Sequence, residues 1–157
     1  MLSPIRLEGI AVAILCGLIV GLERQLSGKP TGIRTSSLIC MGTYIFVTVS
    51  HLVQGPSVDP GRIVGQVITG IGFIGAGVIL TRQGVVVGVT SASVIWVLAG
   101  IGLLIGFGKY TTAILLSVIT VGILIGVNFL EATFKAFRKG VYARLPWHKR
   151  KKAGEED

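Results

Sequence analysis

Acidic side chains are scarce in this chain: there are seven Asp and Glu against fifteen Lys and Arg, and three of the seven are its last three residues. The body of the chain has only Glu8, Glu23, Asp59 and Glu131 to work with. Metal-dependent head-group transfer needs clustered carboxylates, so that reaction class is excluded. The two histidines, His51 and His148, stand far apart, and neither has a second ligand nearby. No histidine lies in the central apolar stretches, so a Ser or Cys nucleophile would have no base beside it. Cys16 and Cys40 show no zinc or redox spacing. They read as small packing residues rather than a disulfide, Cys16 being expected near mid-membrane and Cys40 closer to the cytoplasmic face. Neither an enzyme nor a metal or cofactor site is expected.

Charge is also missing over long distances. Asp, Glu, Lys and Arg are absent from Gly9–Leu22, Thr35–Val58, Ile63–Thr81, Gln83–Gly108 and Tyr110–Leu130. The chain is 51% hydrophobic and only 14% charged. A membrane-crossing helix needs roughly 20 apolar residues. The last four stretches reach that length, and the first does so by borrowing Ile5 to Glu8, with Arg6 and Glu8 at the headgroup level. The expected fold is therefore all-α, a polytopic membrane bundle of five helices. It has one transmembrane domain, residues 1–131, and a basic cytoplasmic juxtamembrane tail, residues 132–157. The first helix lacks both a basic cluster ahead of it and a small-residue cleavage site, so it is not read as a signal peptide.

Orientation follows from the basic residues. Arg24, Lys29, Arg34 and Arg82 fall on one side together with the eight from Lys135 to Lys152, leaving only Arg6, Arg62 and Lys109 on the other. The positive-inside rule then sets the N-terminus outside and the tail in the cytoplasm. The net charge of +8 reflects this tail and does not indicate a nucleic-acid partner. Phe134, Phe137, Val141 and Leu145 recur at helical spacing among the tail's basic residues, an interfacial pattern. Anionic lipid would attract that segment by about 1 kcal/mol per basic residue near the surface. A solvated tail with no specific partner is the other reading.

Glycine is abundant, with 23 residues. Gly17 and Gly21, Gly61 and Gly65, Gly102 and Gly106, and Gly122 and Gly126 share a G-x-x-x-G spacing, and Gly72 with Ala76 is its small-residue variant. Four residues return to the same helix face, and small residues there let helices approach closely in lipid, within the bundle or between copies. Gly70, Gly72 and Gly75 also spell G-x-G-x-x-G, but no strand precedes them and no acidic residue follows about 20 positions on. A dinucleotide site is thus excluded. Together with Gly77 they either serve close packing or weaken and break the third helix, as in transporter ion sites.

Intramembrane polar residues are few. Thr69, Thr90, Ser91 and Ser93 are explained by hydrogen bonds to their own helix backbone. The amides of Gln66 and Asn128 should face another helix or a wet cavity. Glu23 and Arg24 close the first helix, while Arg34 and Thr35 open the second, so Glu23 is expected opposite Arg34.

Taken together, GLERQLSGKPTGIRT (Gly21 to Thr35), GRIVGQVITGIGFIGAGVI (Gly61 to Ile79) and VVGVTSASVIWVLAGIGLLIGFGKY (Val86 to Tyr110) resemble the signature blocks of the MgtC/SapB membrane proteins. Glu23, Arg24, Gly32, Arg34 and Thr35 match the first block. Arg62, Gly70, Gly72, Gly75 and Gly77 match the second, and Thr90 and Trp96 the third. The resemblance implies a bacterial inner-membrane protein linked to growth in low magnesium and, in some pathogens, to survival inside host cells. It also implies a regulator acting on the proton-translocating ATP synthase, and so on membrane potential, rather than a magnesium carrier. Longer members carry a cytoplasmic ACT-like domain, whereas this chain reads as a short form.

Two functions remain open. One is a non-enzymatic regulator that works by helix contacts with itself, as a homo-oligomer, or with another membrane complex such as ATP synthase. The other is a small ion transporter or channel whose path runs past Gln66, Thr69 and Asn128.

Overall fold

The computed structural model describes residues 5–52, 59–82 and 85–133. The interfacial pattern expected in the tail and the loop residues 53–58 lie outside the described residues. Five α-helices follow one another: α1 (Leu7–Leu26), α2 (Ile33–Ser50), α3 (Pro60–Gly77), α4 (Val89–Gly106) and α5 (Tyr110–Thr133). Between α3 and α4 lies an antiparallel hairpin of two strands, β1 (Leu80–Arg82) and β2 (Val85–Val87), which pairs Leu80 with Val87 and Thr81 with Val86. Packing divides the chain after Ile123. The bundle described here is the unit Met1–Ile123, and in the second unit, Leu124–Asp157, the described residues are the end of α5.

The five-helix expectation holds, with shifted boundaries. The second helix ends at Ser50 and does not continue to Val58. The third and fourth, expected to run to Thr81 and from Gln83, stop at Gly77 and start at Val89. Hydropathy does not distinguish an apolar strand from an apolar helix; Val85–Val87 are β-branched and take the strand. Gly88, at the N-cap of α4, has a left-handed φ of +93°, and any Cβ there would collide with the Val78 carbonyl. α3 runs unbroken through Gly70, Gly72 and Gly75, so the helix break does not occur. Its start is set by Asp59, whose side chain accepts from the Gly61 N–H at 2.8 Å, followed by Pro60 at the first helical position.

Helices α2, α4 and α5 are long and apolar enough to cross a membrane, and Gly61–Ala76 forms a shorter apolar helix. At 1.5 Å per residue an 18-residue helix is about 27 Å long, close to the roughly 30 Å hydrocarbon layer. The packing differs from that of a water-soluble bundle in that large apolar side chains cover the outside as well as the core. Large apolar side chains such as Leu15, Leu22, Phe46 and Trp96 point outward, while Ala13, Cys16, Gly17 and Gly21 face inward on α1. Inward small residues are what helix association in lipid requires, because dispersion, not water exclusion, holds the helices together.

α2 lies against both α1 and α4, and α3 packs on α4. The α2 residues Ser36, Ile39, Cys40, Thr43, Tyr44 and Val47 are buried at helical spacing. Two of the glycine pairs carry these contacts. A Cβ on Gly17 would strike the Ser37 backbone, and one on Gly21 would lie 2.6 Å from Ile33 Cα. On the other side of α2, a Cβ on Gly102 would lie 2.7 Å from the Cys40 carbonyl oxygen, and one on Gly106 2.5 Å from Val47. Cys16 and Cys40 are both free and fully buried. Several hydroxyls in the spans donate to the carbonyl four residues back, Thr43 to Ile39 at 2.9 Å and Ser117 to Ala113 at 2.9 Å, whereas the buried Ser37 hydroxyl on α2 has no hydrogen-bond partner among the described residues.

Candidate functional site

The corner joining α1 to α2 collects the residues of the first sequence block. Glu23 lies just beyond the apolar segment Gly9–Leu22, where α1 is about to end. Arg24 Nε donates to Glu23 Oε2 at 2.6 Å and Nη2 to Oε1 at 2.9 Å, and the Ser27 hydroxyl adds a third bond to Oε1 at 2.9 Å. Glu23 and Arg24 are 8% and 3% exposed. The adjacent guanidinium holds the Glu23 carboxyl below the ordinary glutamate range. The expected Glu23 to Arg34 pairing is thereby corrected: the partner is the sequence neighbour, while Arg34 and Thr35 are exposed on the first turn of α2. A two-pronged pair with its own neighbour leaves little of the carboxylate for a charge across the loop.

The turn that follows is tightly specified. Lys29 N–H donates to the Arg24 carbonyl and Gly28 N–H to that of Gln25, with Gly28 at φ +62°, so α1 ends in a Schellman motif. Thr31 then adopts φ +71°, the one non-glycine with positive φ among the described residues. It is 7% exposed, its carbonyl accepts from the Ser36 hydroxyl at 2.9 Å, and its own Oγ1 has no hydrogen-bond partner. A left-handed β-branched residue costs on the order of 1–3 kcal/mol, and such strain gathers at functional sites. Gly32 caps α2, and the Gln25 side-chain oxygen sits 3.1 Å from where its Cβ would be.

The second and third blocks lie on α3 and α4. Arg62 is exposed in the first turn of α3. A Cβ at Gly65, Gly70, Gly72 or Gly77 would meet nothing within 4 Å, and only Gly75 is covered, by Ala92 of α4. Gly65 and Gly72 on one side of α3, and Gly70 and Gly77 on the other, are therefore open among the described residues. Gln66 and Thr69 are exposed on α3, and the Thr69 hydroxyl donates to the Gly65 carbonyl at 2.9 Å. Asn128 is exposed on the end of α5 that belongs to the second unit, and the exposed Gln66 amide is not buried against another helix among the described residues of the first. Thr90 is exposed at the start of α4, Ser91 is buried beside it, and Trp96 points outward, 56% exposed.

The chain matches the MgtC family over residues 10–133. It belongs to that family. Among the relatives of this MgtC-family chain is the "Putative magnesium transporter YhiD" of Escherichia coli K12, 44% identical over 143 residues, covering 87% of this chain and 65% of that protein. The MgtC protein of Salmonella typhimurium LT2 is 38% identical over 110 residues, 70% of this chain and 47% of its own. That of Brucella abortus is 36% identical over 135 residues, with 85% and 56% covered. The MgtC-family chain thus spans less than two thirds of the length of these relatives. No solved structure matches it.

Sequence reasoning missed the strain and the unpartnered hydroxyl at Thr31, since a threonine in a loop carries no mark of its φ. It also missed what gathers at the opposite end of the bundle. There Arg6, Tyr44, His51 and Tyr110, from four separate stretches of the MgtC-family sequence, surround one cavity of about 280 Å³.

Proposed function

We propose that this protein is a non-enzymatic inner-membrane regulator that acts through helix contacts, serving adaptation to low magnesium. The observation that carries the reading is the open side of α3 at Gly65 and Gly72, seven residues apart on one face, where a Cβ would meet nothing within 4 Å among the described residues. Glycine in a helix costs about 1 kcal/mol against alanine in water, and in lipid it is recovered where another helix approaches closely. The occupant of this face is a second copy or a helix of a membrane complex such as ATP synthase. The Glu23 and Arg24 corner anchors the hairpin that presents α1 and α2 on the cytoplasmic side. We orient the chain with its N-terminus outside, on the charge asymmetry of its loops and tail.

Recovery of the intact protein in mild detergent tests this. A partner complex present for the natural chain, lost with Gly72→Leu and kept with Gly122→Leu, supports the reading. Recovery of the same assembly from both variants would overturn it.

The name of the Escherichia coli relative favours a second reading, a small ion transporter with Gln66, Thr69 and Asn128 along its path. Mg2+ keeps several waters and prefers carboxylate oxygens, and the acidic residues Glu8, Glu23, Asp59 and Glu131 lie at or beyond the span ends. Ion flux into vesicles holding only this protein, lost on Gln66→Ala or Asn128→Ala, would decide for the transporter.

A further inference from the structure

At the end of the bundle opposite the Glu23 corner, the entry to α1, the ends of α2 and α4 and the start of α5 line the 280 Å³ cavity, which is open on one side. From its composition we infer that this cavity is a binding site for a phosphate group, supplied by the headgroup of an anionic phospholipid.

Its walls are held in place by bonds that leave the ligand-facing groups free. The Tyr44 hydroxyl accepts from Arg6 N–H at 2.8 Å and donates to the Arg6 carbonyl at 3.1 Å, which pins the chain at the start of α1 to α2. Gly9 makes room for this contact, since a Cβ there would lie 2.5 Å from the Tyr44 ring. With its backbone so fixed, Arg6 is an exposed residue at the cavity that forms no ion pair among the described residues. His51 caps α2 and stacks edge-on against Phe107, ring centroids 6.0 Å apart, so its imidazole is set at the rim. The floor is buried Tyr44, Thr48 and Ile105.

The electrostatics favour an anion. Among the described residues no carboxylate lines the cavity. Helix C-termini ordinarily offer bare carbonyls that repel anions, but three of those at the end of α4 are taken up: Phe107 N–H donates to Leu103, Lys109 N–H to Leu104 and Gly108 N–H to Ile105, with Gly108 at φ +73°. The start of α5 follows at once. Its first N–H groups have no intrahelical acceptor, and Tyr110 lines the cavity. Lys109 is exposed beside them, and Glu8, the second residue of α1 and two positions after Arg6, is the acidic residue nearest in sequence. An Arg fork, an imidazole and helix N–H groups together suit a phosphate better than a carboxylate-seeking cation. The mixed floor, with the Ile105 side chain beside the Tyr44 ring, and the position at the ends of four helices suit a lipid headgroup rather than a free ion.

Native mass spectrometry of the full chain in detergent tests the assignment, in a background where the eight basic residues from Lys135 to Lys152 are Gln so that the tail cannot contribute. One phosphatidylglycerol per chain is expected to remain bound, with phosphatidylcholine held at least 10-fold more weakly. Arg6→Gln with His51→Gln should weaken phosphatidylglycerol at least 10-fold, while Lys29→Gln, at the other end, should not change it. Both cavity residues are exposed, so the helical circular dichroism spectrum of the double variant should be unchanged. Displacement of the lipid by millimolar inorganic phosphate would support the same site with a soluble source. Undiminished phosphatidylglycerol binding by the double variant would overturn the proposal.

Discussion

Arg24 grips the carboxylate of its own sequence neighbour Glu23, Nε to Oε2 at 2.6 Å, with both side chains less than a tenth exposed. Removing one member of such a pair strands a buried charge, at a cost of about 3–5 kcal/mol, whereas replacing both by neutral groups is far cheaper. Arg24→Ala should therefore lower the thermal unfolding midpoint in detergent sharply, and Arg24→Met combined with Glu23→Gln should restore most of it. A single variant as stable as the natural chain would refute the pair's role.

The same pair sets an acid limit. Arg24 holds the folded-state Glu23 pKa below the ordinary 4.5, so the unfolded chain takes up the proton first as pH falls. The contribution of Glu23 is complete above pH 4.5 and is lost as pH drops through the lower folded value. Stability of the natural chain should fall more steeply below pH 4.5 than that of Glu23→Gln, as measured by unfolding midpoints between pH 3 and 7.

The glycines divide into two classes that sequence spacing does not separate. Gly17→Ala and Gly102→Ala place a methyl against the backbone of α2, at Ser37 and Cys40, and overpacking of this kind costs about 1–3 kcal/mol. Gly72→Ala and Gly122→Ala meet nothing within 4 Å and should leave the monomer unchanged or raise its stability by up to about 1 kcal/mol. Equal midpoint shifts in all four variants would contradict the packing described.

The number of helices was legible because charge-free stretches and helix length answer to the same constraint, the thickness of the hydrocarbon layer. Helix ends were less legible. Val85–Val87 count as membrane-apolar by hydropathy yet form a strand, and Ser50 ends α2 although apolar residues continue beyond it. The first block was recognisable from its residues, but its geometry was not. Glu23 opposite Arg34 follows from loop logic, while the adjacent pair depends on how Arg24 folds back where α1 ends. The cavity was invisible for a different reason: Arg6 and Tyr44 meet across 38 residues, and nothing local to either announces the other.

Gly88 tests the hairpin that the sequence pattern concealed. Its φ of +93° and its contact with the Val78 carbonyl leave no room for a side chain. Gly88→Ala should cost about 1–2 kcal/mol from the backbone alone and more from the collision. The expected reading is a lowered unfolding midpoint and increased proteolysis near the hairpin. A midpoint equal to that of the natural chain would show that β2 and α4 are joined differently.

Orientation can be checked with single cysteines, because the two natural ones are fully buried and should not react with a membrane-impermeant maleimide. Lys109 and Lys29 are both exposed, one between α4 and α5 and the other between α1 and α2. With the N-terminus outside, a chain carrying Lys109→Cys should label in intact cells. One carrying Lys29→Cys should label only after the membrane is opened. The reverse pattern would invert the bundle, put the cavity lined by Arg6 and His51 in the cytoplasm and set the Glu23 corner outside. The positive-inside asymmetry of the loops argues against that arrangement, since twelve of the fifteen basic residues would then have to be held on the outer side.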